Sequence, residues 1–224
     1  MAAQRRRRAR ATEQLDQRSG GTGAGDVPST LFGPWRILHP LGEGAHGVVY
    51  EAEHQHIPGR RAALKILHRH HYSEAARRLF FREAQAASRV EHPGIVRVYD
   101  VATTPQGHCY LVMELIRGQA LSSLAMPMQL TRALDLLQQI ALAMSEVHAH
   151  GVIHRDLKPQ NVMVESLGQE NRERARILDF GVAKLLAQAP GAPHTASGAL
   201  LGTPAYMSRE QWISPNDIDC RADI

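Results

Sequence analysis

Lysine is almost absent from this sequence. Of 26 basic residues only three are lysines, Lys65, Lys158 and Lys184, and the other 23 are arginines. Where arginine meets nearly every need for positive charge, a retained lysine marks a place suited to a compact, rotatable ammonium rather than a planar fork. Cysteine is scarcer still. Cys109 and Cys220 make no disulfide framework and show no metal spacing, so a reducing, cytoplasmic setting is expected. Long hydrophobic runs are missing too, with no segment near the roughly 20 apolar residues of a membrane span. The run "RRRRAR" has no apolar stretch behind it to make a secretory signal. Hydrophobic residues nevertheless make up 43% of 224, enough to bury the core of one large domain or two small lobes.

Charge is unevenly placed. Residues 1–30 hold six arginines against Glu13, Asp16 and Asp26, and the whole chain carries only +4. The basic character therefore belongs to the first 31 residues, a Gly-, Ser- and Thr-containing tail with too little apolar content to fold. A nucleic-acid or acidic-membrane contact is the alternative use of such a tail. A disordered extension without a specific nucleic-acid partner is the expectation.

The folded part begins near Phe32. "WRILHPLGEGAHGVVYEAEH" and "RRAALKILH" read as β-rich runs joined by the turn "IPGR". "SEAARRLFFREAQAASRV" has helical periodicity, with Ser73 as a cap and Leu79, Phe80, Ala87 and Val90 on one stripe. "GIVRVYDVA" and "CYLVMELI" read as two further strands. From Thr131 to His148 the apolar residues Leu134, Leu137, Ile140, Ala141, Met144 and Val147 predict a well-buried helix. The octet "HRDLKPQN" (154–161), the strand "VMV", a polar loop, the strand "RIL" and "DFG" follow. The fold class is α+β, a strand-rich part with one main helix and then a more helical part.

"GEGAHGVV" carries Gly42, Gly44 and Gly47 in the pattern G-x-G-x-x-G. A dinucleotide fold would need a helix immediately after these glycines. Here "VVYEAEH" continues as a strand, so the element reads as a hairpin whose backbone can close over phosphates. A plain glycine-rich turn is the competing reading. Lys65 ends "AALK" in the next strand, and Glu83 falls on the apolar stripe of the following helix. A carboxylate facing a core needs a partner, and Lys65 is the expected one. A solvated Glu83 at the edge of the stripe is the alternative.

Taken together, "GEGAHGVV", "AALK", Glu83, "HRDLKPQN", "DFG" and "GTPAYM" resemble, in order, the motifs of the eukaryotic-like Ser/Thr protein kinases, closest in texture to the bacterial branch. The resemblance runs from about residue 33 to the end. It implies a bilobal fold with an N-lobe and hinge over 32–116 and a partial C-lobe over 117–224. It also implies Mg²⁺ and ATP as cofactors and a protein substrate as partner. Asp156 would accept the hydroxyl proton, and Lys158 would sit beside the transferring phosphoryl group. Asn161 and Asp179 would offer hard oxygen ligands to Mg²⁺. The nucleotide would lie against Leu41, the glycines, Val49 and Ala63 above and Met163 below. Met113 would stand at the back, with the Glu114 and Ile116 backbone bonding the purine edge. D-x-K-x-x-N points to Ser/Thr protein substrates, and Thr203 would meet Asp156 and Lys158. Arg155 beside the base suggests control by a phosphate on Thr195 or Ser197.

Two departures stand out. The family's A-P-E appears as Ser208-Arg209-Glu210, which places a charge where the family has proline. The chain also ends one residue after Asp223, whose family counterpart ties a central helix to the catalytic loop. Losing the helices that follow would expose more apolar surface than a soluble monomer tolerates. A fragment, or a chain of low stability, is therefore expected. A kinase-like module that binds nucleotide without catalysis, and a small-molecule phosphotransferase, are the alternative functions. The thirteen histidines, including "HQH" and "HRHH", lack partners at ligand spacing, so no zinc site is expected.

Overall fold

The structure is a computed structural model, and it describes residues 31–44, 47–68, 74–168, 172–179, 204–213 and 218–224. Residues 32–224 form one compact unit.

The first layer is a six-stranded sheet in the order β1-β2-β3-β4-β6-β5. Its strands are β1 (Leu31–Phe32), β2 (Trp35–Gly44), β3 (Gly47–His54), β4 (Arg61–Leu67), β5 (Val98–Thr103) and β6 (Cys109–Met113). Strands β2 and β3 are the antiparallel arms of the glycine-rich hairpin, closing at Gly44 opposite Gly47. The twofold period of β4 decides where its side chains go. Ala62, Leu64 and Ile66 join Phe32, Trp35, Tyr110 and Val112 in one apolar cluster. Ala63 and Leu67 face the other way, into the main core. Lys65 shares that second face, so strand alternation alone carries its ammonium inward.

Helix α1 (Glu74–Ser88) follows β4. It buries Phe80, Ala84 and Ala87, an i, i+4, i+7 stripe. Leu79 is only half-buried, so the stripe is rotated slightly from the one the sequence suggests.

The remaining elements include helix α2 (Leu130–Ala149), the short helix α3 (Arg209–Ile213) and a three-stranded sheet, β7 (Gln119–Ala120), β8 (Val162–Ser166) and β9 (Glu173–Ile177). The turn after α1 bonds directly to β9. The Val96 N–H donates to the Ile177 carbonyl at 3.0 Å, and the Ile177 N–H donates to Gly94 at 2.8 Å. One apolar cluster runs from Ala63 and Phe80 through Ile95 to Met144, Val147, Val164 and Ile177, joining both layers.

The expectation of a well-buried α2 needs correction. Leu136, Ala143, Met144 and Val147 are buried, but Leu134 is 56% and Leu137 59% exposed, with Leu130 and Leu142 alongside. Apolar character covers most of this helix's circumference, and packing among the described residues uses only one side of it. No described helix is long and apolar enough to cross a membrane.

Candidate active site

The hairpin glycines divide into two kinds. A Cβ on Gly47 would stand 2.2 Å from the Ile66 carbonyl oxygen, so Gly47 is required by its close approach to β4. A Cβ on Gly42 or Gly44 would meet nothing within 4 Å, so backbone there is open to a ligand. Val49, on the β3 arm of the hairpin, is half-buried, and Ala63 on β4 and Met113 on β6 are buried. Ala63 and Met113 are cross-strand partners, which makes a flat apolar wall. Leu41 is largely exposed at the rim. Met163 lies on β8 between the buried Val162 and Val164 and is itself half-buried, on the opposite face of that strand.

Beyond Met113 the chain is pinned. The Glu114 N–H donates to the Arg97 carbonyl at 2.9 Å. The Glu114 carboxylate is bonded by Arg176 of β9, which also reaches Glu165 at 3.2 Å and the Ile95 carbonyl at 3.3 Å. Arg176 is buried, and three oxygen partners offset the cost of holding its charge there. Ile116 is half-buried and packs against the main core.

The octet is a compact polar assembly. Asp156 Oδ2 lies 2.9 Å from Lys158 Nζ. The Asn161 side-chain amide donates to the Asp156 carbonyl at 2.8 Å and to Asp156 Oδ2 at 2.9 Å. Those donations use the nitrogen of Asn161 and leave its Oδ1 as a hard acceptor. The Leu178 N–H donates to the Asn161 carbonyl at 2.8 Å, which fastens the strand leading to Asp179 beside the octet. Asn161 and Asp179 are thus anchored oxygen donors, a set that fits Mg²⁺. Lys65 is the cross-strand partner of Val49 on the hairpin, and its ammonium with the open glycine backbone would suit a nucleotide's phosphates.

One expected pair is not formed. Lys65 Nζ contacts Asp179 Oδ2 at 2.8 Å, and Glu83 instead meets its neighbour Arg82 at 3.1 Å. The cause is geometric. Phe80, Ala84 and Ala87 set the buried side of α1, leaving Glu83 at the stripe's edge with a quarter of its side chain exposed. Asp179 has φ 51°, a backbone turn uncommon outside glycine, asparagine and aspartate. Its carboxylate holds the ammonium. The solvated-edge alternative for Glu83 is the one observed.

Among the described residues Arg155 is the other non-glycine residue with positive φ, at 64°. Such a conformation costs about 1–3 kcal/mol and persists where surroundings over-determine it. Here Asp223 does part of that work. Its Oδ1 accepts the Arg155 N–H and its Oδ2 the His154 N–H, both at 2.7 Å, while His148 Nε2 lies 3.0 Å from Oδ2. His154 is fully buried. The Asp156 N–H donates to its Nδ1 at 3.2 Å, so that nitrogen is the acceptor and Nε2 carries the proton toward the Leu178 carbonyl at 2.8 Å. Lys184, Thr195, Ser197 and Thr203 lie outside the described residues.

Burial pushes the His154 imidazole below its ordinary pKa, opposed in part by the Leu178 carbonyl and by Asp223, Asp156 and Asp179. The folded state therefore resists protonating His154, while the unfolded chain takes up the proton below about pH 6.5. Stability from this residue is complete above that pH and is lost as the pH falls through it, at up to about 1.4 kcal/mol per pH unit. Urea titrations between pH 7.5 and 5.5 should show this slope, and His154→Gln should flatten it. Equal slopes in the two proteins would contradict the assignment.

Comparison with known proteins now decides the family. Residues 35–224 match the protein kinase domain. The chain belongs to that family. It is 41% identical over 197 residues to serine/threonine-protein kinase pkn2 of Myxococcus xanthus, covering 87% of this chain and 23% of that protein. It is 36% identical over 206 residues to serine/threonine-protein kinase PknA of Mycobacterium tuberculosis, covering 88% of this chain and 46% of the relative. The kinase domain of Mycobacterium tuberculosis PknI superposes with a TM-score of 0.65 at 26% identity, covering 86% of this chain and 70% of that one. The chain thus has the bilobal kinase fold and spans less than half the length of these curated relatives.

Proposed function

We propose that this kinase domain transfers the γ-phosphate of ATP, with Mg²⁺, to serine or threonine hydroxyls of proteins. The observation that carries the proposal is the Asp156–Lys158–Asn161 cluster, a carboxylate within hydrogen-bonding distance of both an ammonium and an anchored amide. The substrate oxygen attacks the γ-phosphorus, the bond to the β,γ-bridging oxygen breaks, ADP leaves, and the hydroxyl proton passes to Asp156. Lys158 holds positive charge beside the oxygens that gain negative charge in the transition state. Asn161 and Asp179 would hold the Mg²⁺, which when bound neutralises charge on the phosphates. The Lys65–Asp179 pair is a resting arrangement, and on nucleotide binding Lys65 exchanges Asp179 for phosphate oxygens. The names of the relatives support serine and threonine as acceptors. A cytoplasmic setting fits the substrate class and the unpaired thiols of Cys109 and Cys220.

Incubation with radiolabelled ATP, Mg²⁺ and a generic basic protein tests the proposal against Lys65→Met and Asp179→Asn. Transfer should exceed both variants by at least about 100-fold, the size of effect expected when charge stabilisation is removed from a transition state. Transfer equal to theirs, with nucleotide still bound, would instead favour a binding module without catalysis.

A further inference from the structure

The segment 204–213 contains a residue that the kinase motifs leave without a task. Ser208, Arg209, Glu210 and Gln211 open helix α3, with Arg209 as the first helical residue. Gln211 Oε1 accepts the Ser208 N–H at 3.0 Å, which is the return half of a capping box, the third helical residue bonding back to the cap. That task uses only the oxygen of the amide. The nitrogen goes elsewhere. Gln211 Nε2 donates to the Arg155 carbonyl at 2.8 Å, across 56 residues of sequence.

The acceptor is the peptide unit that joins Arg155 to Asp156. Arg155 holds the left-handed backbone conformation, and its N–H is already fixed by Asp223 at 2.7 Å. The other end of that peptide, the Asp156 N–H, donates to His154 Nδ1 at 3.2 Å, so the bond to the Arg155 carbonyl supplies the second point that defines its rotation, on which the direction of the Asp156 side chain depends. We propose that Gln211 is a positioning residue for Asp156, clasping the strained Arg155–Asp156 peptide to the segment that ends at α3. The clasp couples order in 204–213 to the aim of the base. Arg209 stands where the family has proline, and the helix begins at that residue. The clasp rests on the role proposed for Asp156, but its geometry can be tested separately.

Glutamate and leucine at position 211 separate the two tasks. Gln211→Glu keeps an oxygen for the Ser208 N–H and loses the donor to the Arg155 carbonyl. Gln211→Leu loses both. Amide hydrogen exchange should quicken about 10-fold or more at Arg155 and Asp156 in both variants, with exchange at Ala175 in β9 unchanged. Where transfer is measurable, kcat should fall about 10-fold in both while nucleotide affinity stays within about twofold; each tenfold corresponds to about 1.4 kcal/mol. Exchange at Arg155 and Asp156 unaltered in Gln211→Glu would overturn the clasp, whatever the activity. Quickened exchange in a chain that transfers no phosphate would uphold the clasp and remove the catalytic role of Asp156 instead. Loss confined to Gln211→Leu would leave Gln211 as a helix cap alone and overturn the proposal.

Discussion

Asp156→Asn is expected to lower phosphoryl transfer by about 10²–10⁴-fold, the usual contribution of a positioned general base, with nucleotide binding unchanged. The substitution keeps size and shape. Asp156 Oδ2 lies within 2.9 Å of both the Lys158 ammonium and the Asn161 amide. An asparagine can turn its own oxygen toward those two donors and remain in place. Its amide cannot take a proton from the incoming hydroxyl, so chemistry is lost while structure is kept. The backbone contacts are indifferent to the change, since the N–H bonds His154 Nδ1 and the carbonyl accepts from Asn161. Measuring the variant therefore needs three numbers: the transfer rate to a basic protein, the nucleotide Kd and the urea midpoint. A rate above about a tenth of the parent value would remove Asp156 from the role of base. A fall in nucleotide affinity that matches the fall in rate would mean that the substitution disturbs the cleft instead.

The sequence made the chemistry of this site easier to read than its pairings. Lys65, Asp156, Lys158, Asn161 and Asp179 stand out because charged or amide side chains beside short apolar strands need a reason to be there. Strand alternation then places Lys65 on the inner face of β4 by counting alone. What counting could not supply was a choice between two carboxylates for one ammonium. Glu83 is the partner the sequence suggests, and the ammonium takes Asp179 instead, at a left-handed backbone turn. Helix periodicity was accurate for α1 to within about one residue of rotation. For α2 it was misleading in a specific way. A helix with leucines at 130, 134, 136, 137 and 142 is apolar on several sides, and pattern alone cannot say which side is covered.

Arg176 and Gln211 were missed for different reasons. Arg176 interrupts an apolar strand, and alternation with Ala175 and Ile177 would send it to the outer face, yet all three are buried. Its partners Glu114 and Glu165 are distant in sequence and are joined only by the fold. Gln211 carries a faint signal, because Ser208 three residues earlier gives the S-x-x-Q pattern of a capping box, of which the structure forms the return half. Its second bond, to the Arg155 carbonyl, is tertiary and has no counterpart in the sequence.

Asp223→Ala should be the most damaging single change to stability, at about 3–5 kcal/mol, the range for removing one member of a buried charged network. The Asp223 side chain is 1% exposed. Its two oxygens accept the backbone N–H groups of His154 and Arg155 and face the His148 ring. Truncation leaves two backbone donors without their partner, each costing about 1–3 kcal/mol when buried. It also removes one of the contacts that hold Arg155 at φ 64°, which loosens the backbone before Asp156. Asparagine should recover only part of the loss, since its nitrogen cannot accept a hydrogen bond and one of the two N–H groups stays unserved. Against a typical domain stability of roughly 5–15 kcal/mol, this is a large share. Chemical denaturation of the parent, Asp223→Asn and Asp223→Ala should give midpoints falling in that order. The two variants should also exchange the His154 and Arg155 amides faster than the parent does. A loss below about 1 kcal/mol for Asp223→Ala would show that these donors find water or another oxygen. The loop carrying Asp156 would then owe its shape to Asn161, His154 and Gln211 instead.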